Sequence, residues 1–173
     1  MSPATLAAGV SPALAAAGVK LRLARPADEP FLRALFRELR WDEFAPLGWP
    51  DAERARFIDT QFDFQRLGYR TAFPAAECYV IEQMGAPIGK FEIDRPTGRM
   101  AHVVDVALTA SMRGRGIGEA LLRLLQHEAP QGVCLEVEHS NPARRLYARL
   151  GFVDLPPEDD LPRLSREMAW RPS

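Results

Sequence analysis

Three glycines interleaved with two arginines, Arg113-Gly114-Arg115-Gly116-Ile117-Gly118, stand between a run that alternates like a strand and a run that repeats like a helix. Upstream, His102 to Leu108 (His-Val-Val-Asp-Val-Ala-Leu) suits a strand; downstream, Gly116 to Glu128 places Ile117, Leu121, Leu124 and Leu125 on one helical face. A strand turning so tightly into a helix belongs to a layered sheet-and-helix architecture. The glycines leave backbone N–H groups uncovered by side chains, and the helix dipole makes that end positive. A phosphate or pyrophosphate is the natural occupant, with Arg113 and Arg115 adding charge at its rim. The alternative is a glycine turn that merely caps a helix. A P-loop would require Gly-Lys-Ser/Thr, which is missing, and a dinucleotide fingerprint would require glycine where Glu119 stands.

The rest of the chain fits one domain. Val19 to Leu23 alternates as a half-buried strand, and Phe31, Leu32, Leu35, Phe36 and Leu39 follow at helical spacing. An aromatic, Pro- and Gly-containing loop covers residues 41–50, and a second helix runs from Asp51 to about Leu67, ending at Gly68. Cys78 to Gln83 and Ile88 to Ile93 flank the turn Met84-Gly85-Ala86-Pro87 as an antiparallel hairpin, and His102 to Leu108 completes a meander. Val133 to Val137 is a strand, Asn141 to Leu150 a short helix, and Gly151 to Val153 with Leu164 to Trp170 are closing strands around a polar loop. The expected fold is α/β, a mixed, mostly antiparallel central sheet flanked by helices. The helix between Leu108 and Val133 then crosses between parallel strands.

Composition narrows the function classes. Across 173 residues, 22 Lys+Arg face 23 Asp+Glu, so there is no surplus of positive charge for a nucleic-acid partner. No apolar run reaches the length a membrane span requires. Cys78 and Cys134 lie in apolar runs, as buried reduced thiols do, and no His/Cys/Asp group has metal-ligand spacing along the chain, so no metal is expected. Residues 1–18 are Ala-rich, but carry no basic residue and are broken by Pro3, Gly9, Pro12 and Gly18; the expectation is a disordered extension on a cytoplasmic protein, with residues 19–173 forming the single domain.

The segment Arg113 to Gly118 resembles the R/Q-x-x-G-x-G/A pyrophosphate loop of the GCN5-related N-acetyltransferases. Asn141-Pro142-Ala143-Arg144-Arg145-Leu146-Tyr147, continuing to Gly151-Phe152, is similar to that family's second signature, although the Asn-to-Tyr separation is six residues where seven is usual. The resemblance implies that either Asn141 or Ser140 contacts the pantetheine of the cofactor.

The resemblance implies an enzyme that transfers an acetyl group from acetyl-CoA, as co-substrate, to a small-molecule or peptide amine by direct attack. A CoA-binding regulatory module without turnover is the alternative, and a homodimer is an assembly the family often adopts. It also implies that Arg113, Gly114, Arg115, Gly116, Ile117 and Gly118 hold the pyrophosphate and that the backbone N–H of Leu108, beside a strand bulge, polarises the thioester carbonyl. By the same resemblance Tyr147, with an ordinary pKa of about 10, is the residue expected to protonate the departing thiolate, the alternative being a core tyrosine packed beneath the sheet. His102, eleven residues before Arg113, stands where similar enzymes carry the proton acceptor and reads equally as a half-exposed strand histidine, with Asp105, Glu92 and Glu136 as rivals. His139 reads as a surface residue. Trp41, Phe44, Trp49, Phe64 and Tyr69, with Glu158, Asp159 and Asp160, are candidates for the acceptor site, although such residues are more often core packing and a solvated loop.

Overall fold

In the computed structural model, which describes residues 6, 11–156 and 164–172, seven strands form one sheet. They are β1 (Val19–Leu23), β2 (Glu77–Gln83), β3 (Ala86–Asp94), β4 (Ala101–Leu108), β5 (Val133–Glu138), β6 (Val153–Asp154) and β7 (Ser165–Trp170), in the spatial order β1-β2-β3-β4-β5-β7-β6. Only β4 and β5 run parallel; every other neighbouring pair is antiparallel. The helices are α1 (Pro12–Ala16), α2 (Glu29–Arg40), α3 (Asp51–Ala72), α4 (Ile117–Glu128) and α5 (Arg144–Arg149). None of the described helices is long and apolar enough to cross a membrane.

The two faces of the sheet differ. On one, α4 buries Ile117, Leu121, Leu122, Leu124 and Leu125 against Phe91, Ile93, Val103 and Leu135, forming the main core. On the other, α2 and α3 share a smaller cluster of Leu32, Phe36, Ile58 and Phe62. Cross-strand pairing puts Lys90, Glu92 and Asp94 of β3 on that second face, opposite Ala107, Asp105 and His102 of β4. Between His102 and Asp105 the register shifts by one residue, so Val104 is an extra residue and both polar side chains stay on the same face.

Several expectations need correction. Residues 12–18 are not a loose extension: Ser11 accepts a hydrogen bond from the Leu14 N–H (3.3 Å), and Leu14 and Leu6 lie in the core at 1% and 0% exposure. Their apolar side chains cover the end of the main core beside α4, so breaker residues there shape a short helix instead of preventing one. α3 passes through Gly68 to Ala72, because Gly68 keeps a helical backbone and Tyr69 beyond it packs over Lys90. The hairpin turn is only Met84-Gly85, both at positive φ (51° and 80°), the two-residue geometry that matches strand twist. α5 begins at Arg144 because Asn141 to Ala143 form a separate turn, in which Asn141 Oδ1 accepts from the Ala143 N–H (2.9 Å).

Candidate active site

The segment joining β4 to α4 is open on its outer side. Gly114 and Gly116 have φ of 72° and 79°, which only glycine adopts without strain, and Gly116 stands at the N-cap with no side chain capping the helix. Gly118 differs, since its backbone is ordinary helix and a Cβ there would meet no atom of the described residues within 4 Å. The fold does not require glycine at 118; a ligand approaching the helix N-terminus would. Arg113 is held in place by its Nε donating to the Leu108 carbonyl (3.0 Å) and by Glu38, which lies 3.5 Å from its guanidinium and also accepts from the Ala110 N–H (2.5 Å).

β4 and β5 pair only through Ala101–Val103 with Val133–Leu135 and then part. A cleft of about 320 Å³ fills the gap, lined by Val104, Asp105, Val106, Glu136, Glu138, Asn141 and Tyr147, with Arg40 of α2 and Tyr69 of α3 closing one side. The Thr109 N–H donates to the Ile88 carbonyl of β3 (2.9 Å). By strand alternation the N–H groups of Leu108 and Val106 point the other way, into the gap that β5 has vacated. The bulge expected near Leu108 lies at Val104, and Val106, which the sequence did not single out, shares the position expected of Leu108.

α5 carries Tyr147 into this cleft. Tyr147 is 7% exposed, with its ring tilted against Phe152 at 5.9 Å. Burial, and secondarily the Asp105 charge, raise its pKa above the ordinary tyrosine value, so it stays protonated. Asn141 lines the cleft with its Oδ1 committed to the turn, which leaves its amide N–H₂ to donate; Ser140 is exposed and is not a lining residue.

Asp105 is gripped by Lys90 (2.7 Å), whose ammonium is also 3.4 Å from Glu92 and lies 5.7 Å over the Tyr69 ring. Burial would depress the Lys90 pKa, but Asp105 and Glu92 outweigh it and the pKa is raised, so this buried lysine is charged. Lys90 was missed in the sequence; being one of two lysines in an arginine-rich chain is the only hint it gives. His102 stands just beyond the inner end of the cleft, on the face of Asp105, with Phe73 tilted over its ring at 4.6 Å. Burial lowers its pKa, against the opposing charges of Glu167, Asp94 and Glu136, and its Nδ1 lies 3.4 Å from Cys134 Sγ. Glu136 accepts from the Ser165 hydroxyl. Of the aromatic candidates, Tyr69 alone lines the cleft; Trp41 stacks under Arg54, Phe44 and Trp49 pack on Phe57, and Phe64 is exposed. Glu158, Asp159 and Asp160 lie outside the described residues.

A bare glycine turn at a helix N-terminus, leading into a gap between two parting parallel strands, defines an acyl-CoA N-acyltransferase fold. The acetyltransferase (GNAT) family model matches residues 33–152, well over half of the sequence, and the chain belongs to that family. Among solved structures, histone acetyltransferase HPA2 and related acetyltransferase from Corynebacterium glutamicum ATCC 13032 has a TM-score of 0.63 at 25% identity, covering 90% of this chain and 97% of that one. The PaiA N-acetyltransferase of Thermoplasma acidophilum, in complex with coenzyme A, has a TM-score of 0.60 at 15% identity over 88% and 98% of the two chains, a likeness of fold. Glucosamine 6-phosphate N-acetyltransferase 1 of Oryza sativa subsp. japonica is 36% identical over 72 residues, 40% of this chain and 44% of that protein. The match thus spans less than half of that curated relative.

Proposed function

We propose that this protein transfers the acetyl group of acetyl-CoA to a primary amine of a small molecule or peptide by direct attack. The observation that carries the reading is the gap between β4 and β5, where strand N–H groups left without a partner strand and the Tyr147 hydroxyl face one cleft. The pyrophosphate sits on the N–H groups of residues 114–118, flanked by Arg113 and Arg115, and the pantetheine arm runs past the Asn141 amide. The thioester carbonyl accepts from the N–H of Val106 or Leu108, which stabilises the oxyanion formed as the amine nitrogen attacks. The C–S bond then breaks, and Tyr147 gives its proton to the thiolate. The amine proton leaves through water along the face shared by Asp105 and His102, with His102 as the acceptor. Asp105, Glu136 and Glu138 make the cleft wall acidic, which attracts a protonated amine before it sheds that proton.

The test is release of free CoA thiol from acetyl-CoA against a panel of amines: a polyamine, a hexosamine 6-phosphate, free amino acids and a peptide N-terminus. Turnover with at least one amine, together with saturable CoA binding, is the expected result. Absence of CoA binding overturns the reading entirely. CoA binding without turnover on any amine points instead to a module that senses the cofactor.

A further inference from the structure

β4, β5 and β7 lie side by side where β4 and β5 still pair, and their register brings three different donors onto one face. His102 lies opposite Cys134, Cys134 opposite Ala169, and Glu167 is two residues from Ala169 on the same face. The ligand atoms of His102, Cys134 and Glu167 all fall within 4.8 Å of one another. The three donors are 32 and 33 residues apart along the chain, so no local metal-ligand spacing marks them.

We infer that His102, Cys134 and Glu167 bind one Zn²⁺-class ion at the inner end of the cleft, and that its occupancy blocks acetyl transfer. A nitrogen, a sulfur and a carboxylate oxygen are the donor set that zinc takes in tetrahedral sites, with water in the fourth position. Bonds of about 2.0–2.3 Å put neighbouring ligand atoms about 3.3–3.8 Å apart. The His102–Cys134 separation of 3.4 Å already meets this, and the exposed Glu167 side chain has the freedom to close the rest. Phe73, tilted over the imidazole, restricts its rotation. A second observation points the same way. Asp94, directly across the β3–β4 ladder from His102, has a carboxylate oxygen, Oδ1, sealed from solvent and without a hydrogen-bond partner among the described residues. Metal-bound imidazoles characteristically give their other ring N–H to such a carboxylate. Neither Cys134 nor Glu167 is given a step in the proposed transfer, but both neighbour His102, so each variant's metal-free activity is its own reference.

The block of transfer rests on the function proposed above, since the metal would occupy the His102 lone pair; the binding does not. Binding is therefore measured first, by titrating the reduced full-length chain with Co²⁺ as a spectroscopic stand-in for Zn²⁺. One equivalent should saturate a thiolate-to-metal charge-transfer band with tetrahedral visible bands. Cys134→Ser should lose the thiolate band while Cys78→Ser retains it, and Asp94→Asn should weaken the ion by about 10- to 100-fold. Glu167→Gln, a change at an exposed side chain, should weaken it at least as much and decides the matter if Cys134→Ser fails to fold. No saturable band, or a band unchanged in Cys134→Ser and Glu167→Gln, overturns the site. With the site established, one equivalent of Zn²⁺ should suppress thiol release by the wild type and spare Glu167→Gln. Equal activity of the zinc-loaded and zinc-free wild type overturns the block alone.

Discussion

The two faces of the sheet solve different problems. The α4 face is apolar and continuous, and it holds rigid the glycine turn and the N-terminus of α4, so the proposed cofactor side is built from contiguous backbone. The α2/α3 face carries Lys90, Glu92, Asp94, His102, Asp105, Cys134 and Glu167 in one polar layer, with only a small apolar cluster above it. A backbone site tolerates side-chain change except where bulk intrudes, whereas a side-chain site depends on each charge having its partner. The sharpest break between the two sides should come at Tyr147, which α5 brings to where they meet. Tyr147→Phe keeps the buried ring and its packing on Phe152 and removes only the proton, so kcat should fall about 100-fold while CoA affinity is unchanged. Pre-steady-state thiol release beside calorimetric CoA titration separates the two quantities; equal loss in both would make Tyr147 a binding residue.

Lys90 tests the polar side next. Lys90→Met preserves apolar bulk but leaves Asp105 and Glu92 without their cation. Breaking a fully buried pair costs about 3–5 kcal/mol. These carboxylates are 24% and 17% exposed, so a loss of about 2 kcal/mol in urea unfolding is expected, water relieving part of the penalty. An unchanged midpoint would mean that the two acids share the site by taking up a proton.

How much of this was legible follows the same division. The glycine turn, α4, the meander and the Asn-to-Tyr signature were readable because each is a run of neighbours whose spacing states its structure. The Lys90–Asp105 pair, the Val106 N–H and the His102–Cys134–Glu167 group were not, because strand register assembles them and one residue of slip would scatter them. The Val104 bulge is such a slip: it aligns His102 with Asp105, three positions apart, which strict alternation would place on opposite faces. Leu6 and Leu14 were misjudged for a related reason, since glycine and proline mark turns but do not say whether the piece between them packs.

On the cofactor side, Gly118→Leu should separate folding from binding. The position is helical and open, so leucine should leave thermal stability the same or raise it by up to about 1 kcal/mol. The added side chain stands where the pyrophosphate is proposed to lie, and CoA affinity should fall by about tenfold or more, or about 1.4 kcal/mol. Unchanged affinity would move the pyrophosphate off the helix N-terminus.

The smallest effect belongs to the rim of the polar face. Arg22 on β1 donates to both oxygens of Asp28 (2.7 Å each) and to Glu82, tying the start of α2 to the sheet edge. The Arg22 hydrogen bonds, helped by the Arg25 N–H, hold the Asp28 carboxyl down at about 2. A depressed carboxylate pKa contributes stability that is fully present above the unfolded value of about 3.9 and is lost as pH falls through the folded one. Asp28→Asn should therefore lower the melting temperature at pH 6 by a small margin, less than about 1 kcal/mol for a pair so near solvent. The gap between the two proteins should narrow below about pH 4 and close towards pH 2, which thermal melts across that range would trace. A gap that stayed constant with pH would mean that Asp28 acts through the shape of the turn before α2 and not through its charge, and the rim would then resemble the backbone-built side of the molecule.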